Sequence, residues 1–217
     1  MPSGVACERL VLGPQPAGFV RVNLIPYHLA LPEVDGRSVL DVGTNEGAGA
    51  ALFATRAREV CGLDRSEDAI RAARERHRRS NLRFLVHDAG TPLPFPDASM
   101  GVVFSSEVIE HLPSGEPLLR SAARVLEPGG VLLLKTPNDD YNRLENRLNP
   151  HHVNSYTATR LEAELRRHFT DVVIEGITYD VTLDATPEPM PDGPEDPIAS
   201  PYRFGDPIRI DRAVVVR

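Results

Sequence analysis

The chain has 217 residues, 41% of them hydrophobic and 25% charged, which fits one globular domain and excludes whole-chain disorder. Its net charge of −7 disfavours a uniformly basic nucleic-acid binder, so no nucleic-acid partner is expected. Two cysteines, Cys7 and Cys61, without a CxxC pair exclude a disulfide scaffold and a cysteine-based zinc site.

No apolar run reaches the roughly 18 residues of a membrane-spanning helix, so no membrane partner is expected. Met1–Phe19 lacks a basic region followed by a long apolar run, so a cytoplasmic rather than a secreted protein is expected. All but one of the 24 basic side chains are arginine. Schiff-base chemistry would therefore rest on Lys135, which sits in the strand-like run VLLLKTPN.

Taken in order, residues 1–36 precede the first strand, carry Pro14, Pro16, Pro26 and Pro32, and are expected to form a lid or cap. Ser38–Gly43, Glu59–Arg65, Leu82–Asp88, Met100–Ser106 and Gly130–Asn138 read as buried strands. Helical patterns lie between them. Gly47–Ala57 is Ala-rich. Ser66–Arg79 opens on a Ser cap with Glu67 and Asp68 in its first turn and ends in Arg78-Arg79, which suits the helix dipole at both ends. Ser114–Leu126 carries Leu118, Leu119, Ala122, Val125 and Leu126 on one stripe and stops at Pro128-Gly129-Gly130. Thr157–Phe169 is a further helix, and Asp171–Tyr179 and Ile208–Val216 read as later strands. This alternation predicts an α/β, Rossmann-like doubly wound sheet in a single domain spanning 1–217. Residues 139–156, polar and His-rich, and 186–207, with seven prolines and five acids against one arginine, read as substrate-side loops.

Ligands of open parallel sheets bind beyond the carboxyl ends of the strands. After the first strand comes DVGTNEGAG, with Asp41, Gly43, Asn45 and Gly47; glycines there allow a tight turn and close approach to a helix N-terminus. Asp64 ends the second strand 21 residues after Gly43, the spacing at which an acid reaches a ribose diol. Asp88 and Ala89 end the third strand, placed for an adenine amine. Three acids on three consecutive strand ends, with a Gly-rich loop, point to an adenosine-containing cofactor.

At these residues the chain resembles the class I S-adenosylmethionine-dependent methyltransferases. The matching stretches are VLDVGTNEGAGA, GLDRSEDAI, HDAGTPLPFPDASMGVVFSSEVIEHL and RVLEPGGVLLLKTPN, which together span the cofactor-binding core, 38–138. NPHHVNSYTATRLEAELRRHF is similar to the segment that follows the core in the small-molecule subgroup. The resemblance implies seven strands, mostly parallel, with an antiparallel last strand, here Ile208–Val216. It implies that Asp41, Gly43 and Gly47 hold the methionine end of the cofactor, Asp64 the ribose, Asp88 and Ala89 the adenine, and Ser105 or Ser106 the sulfonium side. Asn45 stands where the family usually has glycine, and asparagine tolerates left-handed backbone better than other side chains. Arg65 stands where an apolar residue often packs on the adenine. The product would be S-adenosylhomocysteine.

Methyl transfer from a sulfonium needs in-line alignment of a nucleophile, and a protonated oxygen or nitrogen acceptor needs a base. His111, His151 and His152, with Tyr156, are the candidates. A small-molecule acceptor is expected, a sugar or specialised metabolite hydroxyl first, with no metal. An alternative reading puts Glu107, Glu110 and His111 on one helical face at i, i+3, i+4 and, with His152 or His151, makes a two-Glu, two-His metal site. That set resembles the magnesium site of methyltransferases acting on the terminal 2′-hydroxyl of small RNAs. Three rival readings stand beside this, one of them a methyltransferase fold repurposed for a non-methylating cyclisation. A nicotinamide oxidoreductase would need G-x-G-x-x-G and a Tyr–Lys pair, which the sequence lacks; a non-catalytic cofactor-binding pseudo-methyltransferase would fit the Asn45 departure.

Overall fold

A computed structural model of the chain describes residues 17–140, 148–176 and 215–216, with side chains from residue 23 onward and none at 215–216. Its elements run α1 (Ala17–Val34), β1 (Ser38–Val42), α2 (Ala48–Phe53), β2 (Glu59–Asp64), α3 (Glu67–Arg76), β3 (Leu82–Val86), β4 (Met100–Ser106), a 3-10 turn (Ile109–His111), α4 (Glu116–Val125), β5 (Leu126–Lys135), α5 (Ala158–Leu165) and β6 (Val215–Val216). The sheet order is β3-β2-β1-β4-β5-β6. β1 to β5 pair in parallel, and β6 runs antiparallel to β5. The doubly wound α/β expectation is met, and so is the antiparallel last strand. The chain order reverses between β1 and β4, which puts the ligand crevice at their carboxyl ends.

The strands are apolar on both faces because helices cover both. Val39, Val60, Val102, Phe104, Val131 and Leu133 face α1, α2 and α3. Leu40, Val42, Cys61, Leu63, Val103, Leu132 and Leu134 face α4 and α5. α4 buries Leu118, Leu119, Ala122 and Val125 completely. At roughly 1.5–3 kcal/mol for each large side chain taken from water, this stripe anchors α4 to the sheet. Ser66 caps α3 as expected, its Oγ accepting from the Ala69 N–H at 3.3 Å, and Thr157 caps α5 in the same way.

The described residues refine several expectations. Residues 17–34 of the expected lid form a helix in spite of Pro26 and Pro32, because Leu24, Tyr27, Ala30 and Val34 recur at helical spacing and bury one face against the sheet. β5 begins at Leu126, not Gly130; a register shift between Met100 and Val102 lets Pro128-Gly129-Gly130 run within the strand. α3 ends at Arg76 because His77 is already extended, and α5 ends at Leu165, leaving Phe169 packed on the core from outside the helix. Asp171–Gly176 forms no strand, and six strands are present among the described residues; the rest of that expected strand, like the loops at 141–147 and 186–207, lies outside them.

Candidate functional site

The turn after β1 is held at both sides. The N–H groups of Gly43 and Thr44 both donate to the Leu63 carbonyl at 2.8 Å. Gly43 has φ +78, and a Cβ there would lie 2.3 Å from Val108 in the turn after β4. Only glycine lets these two loops meet. Asn45 has φ +52, so the residue that departs from the usual glycine adopts the left-handed backbone that asparagine tolerates. Gly47 caps α2.

Asp64 joins this turn to β2. Its Oδ2 accepts the Asn45 N–H at 3.0 Å, and its Oδ1 accepts the Ser66 N–H at 2.8 Å. Each carboxylate oxygen keeps a second lone pair for a ligand hydroxyl. Arg65 beside it is exposed. Asp88, two residues past β3, is exposed and accepts from the Gly90 N–H at 2.8 Å, while Ala89 packs against the core below. Ser105 pairs in register with Val42, is 1% exposed, and its Oγ has no hydrogen-bond partner.

Asp41 points toward α1 and is fully buried. The Tyr27 hydroxyl donates to its Oδ1 at 3.3 Å. Burial pushes the Asp41 carboxyl up to about 7; the nearby Thr44 and Tyr27 hydroxyls oppose the rise, and the charge of Asp64 adds to it. Burial next to Asp41 likewise raises the Tyr27 phenol well above its ordinary value. The Tyr27 ring packs on Phe53 and Phe104 and lies where a Cβ on Gly49 would stand, 2.0 Å from its Cε1. Sequence reasoning missed Tyr27. The signal was available: an aromatic on the apolar stripe of 24, 27, 30 and 34.

On the far side of β4 the chain gathers a second set of polar groups. Glu107 follows β4 with φ +57, and only Ile109–His111 make a 3-10 turn. The expected single helical face over Glu107, Glu110 and His111 is therefore wrong: the left-handed residue breaks the helical spacing. Glu107 pairs instead with Lys135 on the adjacent strand. Glu110 is 2% exposed; its Oε2 accepts from the Thr136 hydroxyl at 2.9 Å, and its Oε1 has no hydrogen-bond partner. Burial and the neighbouring Glu107 charge push the Glu110 carboxyl well above its ordinary value. Burial acts on Glu107 in the same sense, but the Lys135 ammonium and the neighbouring Glu110 carboxyl bring it below its ordinary value. The two shifts run in opposite senses, Glu110 toward its neutral form and Glu107 toward its ionised form.

The segment 149–156 docks onto this turn. The Asn154 N–H donates to the Glu110 carbonyl at 3.0 Å, and the Asp139 N–H to the Tyr156 carbonyl at 2.8 Å. His111 Nδ1 lies 3.0 Å from the His151 carbonyl, which can only accept, so Nδ1 carries a proton, and in the neutral ring Nε2 is the lone-pair nitrogen. The His111 and His152 rings stand 5.1 Å apart. His151 itself is exposed and gives His111 its backbone carbonyl. Tyr156 is 1% exposed in the core, its hydroxyl accepting from Asn154 and its phenol raised by burial to about 12. It is a packing residue and not the base expected of it.

A Gly-bounded turn after β1, acids at the ends of three neighbouring parallel strands, and a polar cluster beyond β4 define an α/β domain that binds an adenosine cofactor at the β1–β4 switch. Residues 40–134 match the methyltransferase domain family. The chain is 41% identical over 149 residues to a probable S-adenosylmethionine-dependent methyltransferase of Mycolicibacterium smegmatis, covering 66% of this chain and 55% of that one. It is 36% identical over 126 residues to a fatty-acid O-methyltransferase of the same organism, covering 56% of this chain and 46% of the relative. A solved S-adenosylmethionine-dependent methyltransferase from Archaeoglobus fulgidus superposes with a TM-score of 0.64 at 25% identity, over 74% of this chain and 72% of that one. The chain spans about half the length of the curated relatives it matches. Residues 40–134 are a methyltransferase domain of the class I S-adenosylmethionine-dependent kind, and that family implies S-adenosylmethionine as the cofactor. The site fits that cofactor by its own chemistry: Asp64 has spare acceptor capacity, and the buried Ser105 hydroxyl lacks a partner. No helix among the described residues is long and apolar enough to cross a membrane.

Proposed function

We propose that the chain methylates an oxygen of a small-molecule acceptor. Bound S-adenosylmethionine would supply an electrophilic methyl group on a sulfonium. Asp41, Gly43, Asn45 and Gly47 would hold its methionine end, Asp64 the ribose hydroxyls, Asp88 and Ala89 the adenine beside Arg65, and Ser105 the sulfonium side. Tyr27 would brace Asp41 from behind.

His111 and His152 form the acceptor side. With its Nδ1 proton held by the His151 carbonyl, His111 offers Nε2 as a base to an acceptor hydroxyl. This tautomer, fixed by one hydrogen bond, is the observation that carries the reading. A carboxylate acceptor would need no base at all, only alignment and exclusion of water. The relative named for fatty-acid O-methylation makes lipid-like acids and alcohols the first acceptors to test, ahead of the sugar hydroxyls that the sequence suggested.

The test is S-adenosylhomocysteine release by the purified chain, with S-adenosylmethionine and panels of fatty acids, long-chain alcohols and sugars. Acceptor-dependent release from a small-molecule panel, reduced at least tenfold at neutral pH in His111→Ala when the acceptor is a hydroxyl, supports the reading. Cofactor binding without turnover on any panel, or equal turnover in His111→Ala on a hydroxyl acceptor, contradicts it.

A further inference from the structure

We propose that Glu110, His111 and His152 form a binding site for one divalent transition-metal ion of the zinc, cobalt and manganese group, facing the acceptor side of the cofactor crevice. One ligand atom from each of the three residues lies within 4.8 Å of the others. Tetrahedral zinc with bonds of about 2.0–2.1 Å holds its ligand atoms about 3.3 Å apart. Side-chain rotations that move each atom by an ångström or so close that gap.

Three features prepare these groups. The Glu110 Oε1 is buried and has no hydrogen-bond partner, while Thr136 holds Oε2 in place. A polar oxygen left so in the interior costs free energy that a cation would recover. His111 presents a lone-pair nitrogen because its other nitrogen donates to the His151 carbonyl, the arrangement that orients histidine ligands in metal sites. The third group, His152, arrives from a different part of the chain and is held there by the bond from Asn154 to the Glu110 carbonyl and by the His111 contact to residue 151. Glu107 is not a ligand: it is engaged with Lys135, which also leaves a neutralised neighbour beside the cation.

Two imidazoles and one carboxylate favour zinc, cobalt or manganese over magnesium or calcium, which prefer sets made entirely of oxygen. Three protein ligands leave at least one coordination position open. With the ion bound, His111 Nε2 would serve as a ligand and not as the base; an acceptor oxygen would take the open position, where the ion would favour its ionised form, and the base role proposed above belongs to the metal-free chain. Binding of the metal itself does not depend on that reading.

The experiment titrates Co²⁺ alone into the full chain after chelator treatment, reading visible absorption and heat, and then displaces it with Zn²⁺. One equivalent binding in the micromolar range or tighter is expected, with at least tenfold weaker binding in both His152→Ala and Glu110→Gln. Thermal unfolding and S-adenosylhomocysteine binding are measured on the same samples, so that a misfolded variant is recognised and the other substitution decides. No saturable Co²⁺ binding in the wild-type chain, or unchanged affinity in the folded variants, overturns the proposal. A chain that binds Co²⁺ in this way but methylates nothing overturns the proposed function and leaves the metal site standing.

Discussion

Replacing Asp41 by Asn probes the least hydrated acid of the cofactor turn. The carboxyl is fully buried, and its pKa rises from the ordinary 3.8 to about 7. A group raised in the fold stabilises it when protonated. Its contribution is complete below about pH 4 and is lost as the pH rises through about 7. At about 1.4 kcal/mol per pH unit, the rise sets a ceiling of about 4 kcal/mol on what ionisation of Asp41 costs the apoprotein at pH 8. Asparagine keeps an oxygen for the Tyr27 hydroxyl and does not titrate. The difference in unfolding stability between Asp41→Asn and wild type therefore isolates this one group, since every other titration is common to both. Urea unfolding followed by circular dichroism, without cofactor, at intervals from pH 4 to pH 8 measures it. The variant should gain on the wild type as the pH rises, by up to about 4 kcal/mol. A flat difference over that range, or one that shrinks with pH, would refute the argument that burial dominates at Asp41.

Other outcomes follow from the same geometry. Asp64→Ala removes the acceptor of two backbone N–H groups and of the ribose hydroxyls, and should weaken S-adenosylhomocysteine binding by about 1–3 kcal/mol in calorimetry; unchanged affinity would remove Asp64 from the site. Asn45→Ala, forced to φ +52, should lose about 1–2 kcal/mol of stability, whereas Asn45→Gly should stay near wild type and keep cofactor affinity. Leu119→Ala opens a cavity under α4 and should cost about 2–5 kcal/mol in chemical denaturation; a loss below 1 kcal/mol would mean that α4 does not carry the core on that face.

The parts of the fold that could be read from the sequence are those fixed by local rules. Alternating apolar runs and capped amphipathic segments announced β1 to β5, α3 and α4, and the spacing from Gly43 to Asp64 announced the cofactor turn. Asn45 was legible too, because the side chain most tolerant of left-handed backbone stood where such backbone was needed. What escaped was tertiary. Two prolines hid α1, although burial of Leu24, Tyr27 and Val34 outweighs their cost. The i, i+3, i+4 pattern of Glu107, Glu110 and His111 suggested one helical face, but Glu107 turns left-handed to reach Lys135. The meeting of His152 with His111 depends on a segment forty residues downstream docking through backbone hydrogen bonds, which no local pattern encodes. Tyr156 carried a catalytic residue type into a core position.

Titration calorimetry of the full chain with S-adenosylmethionine, and separately with S-adenosylhomocysteine, tests the central claim most directly. One site with an affinity on the order of micromolar for each ligand is expected, and both affinities should fall together in Asp64→Ala. Absence of binding for both ligands to the folded wild-type chain would contradict the account.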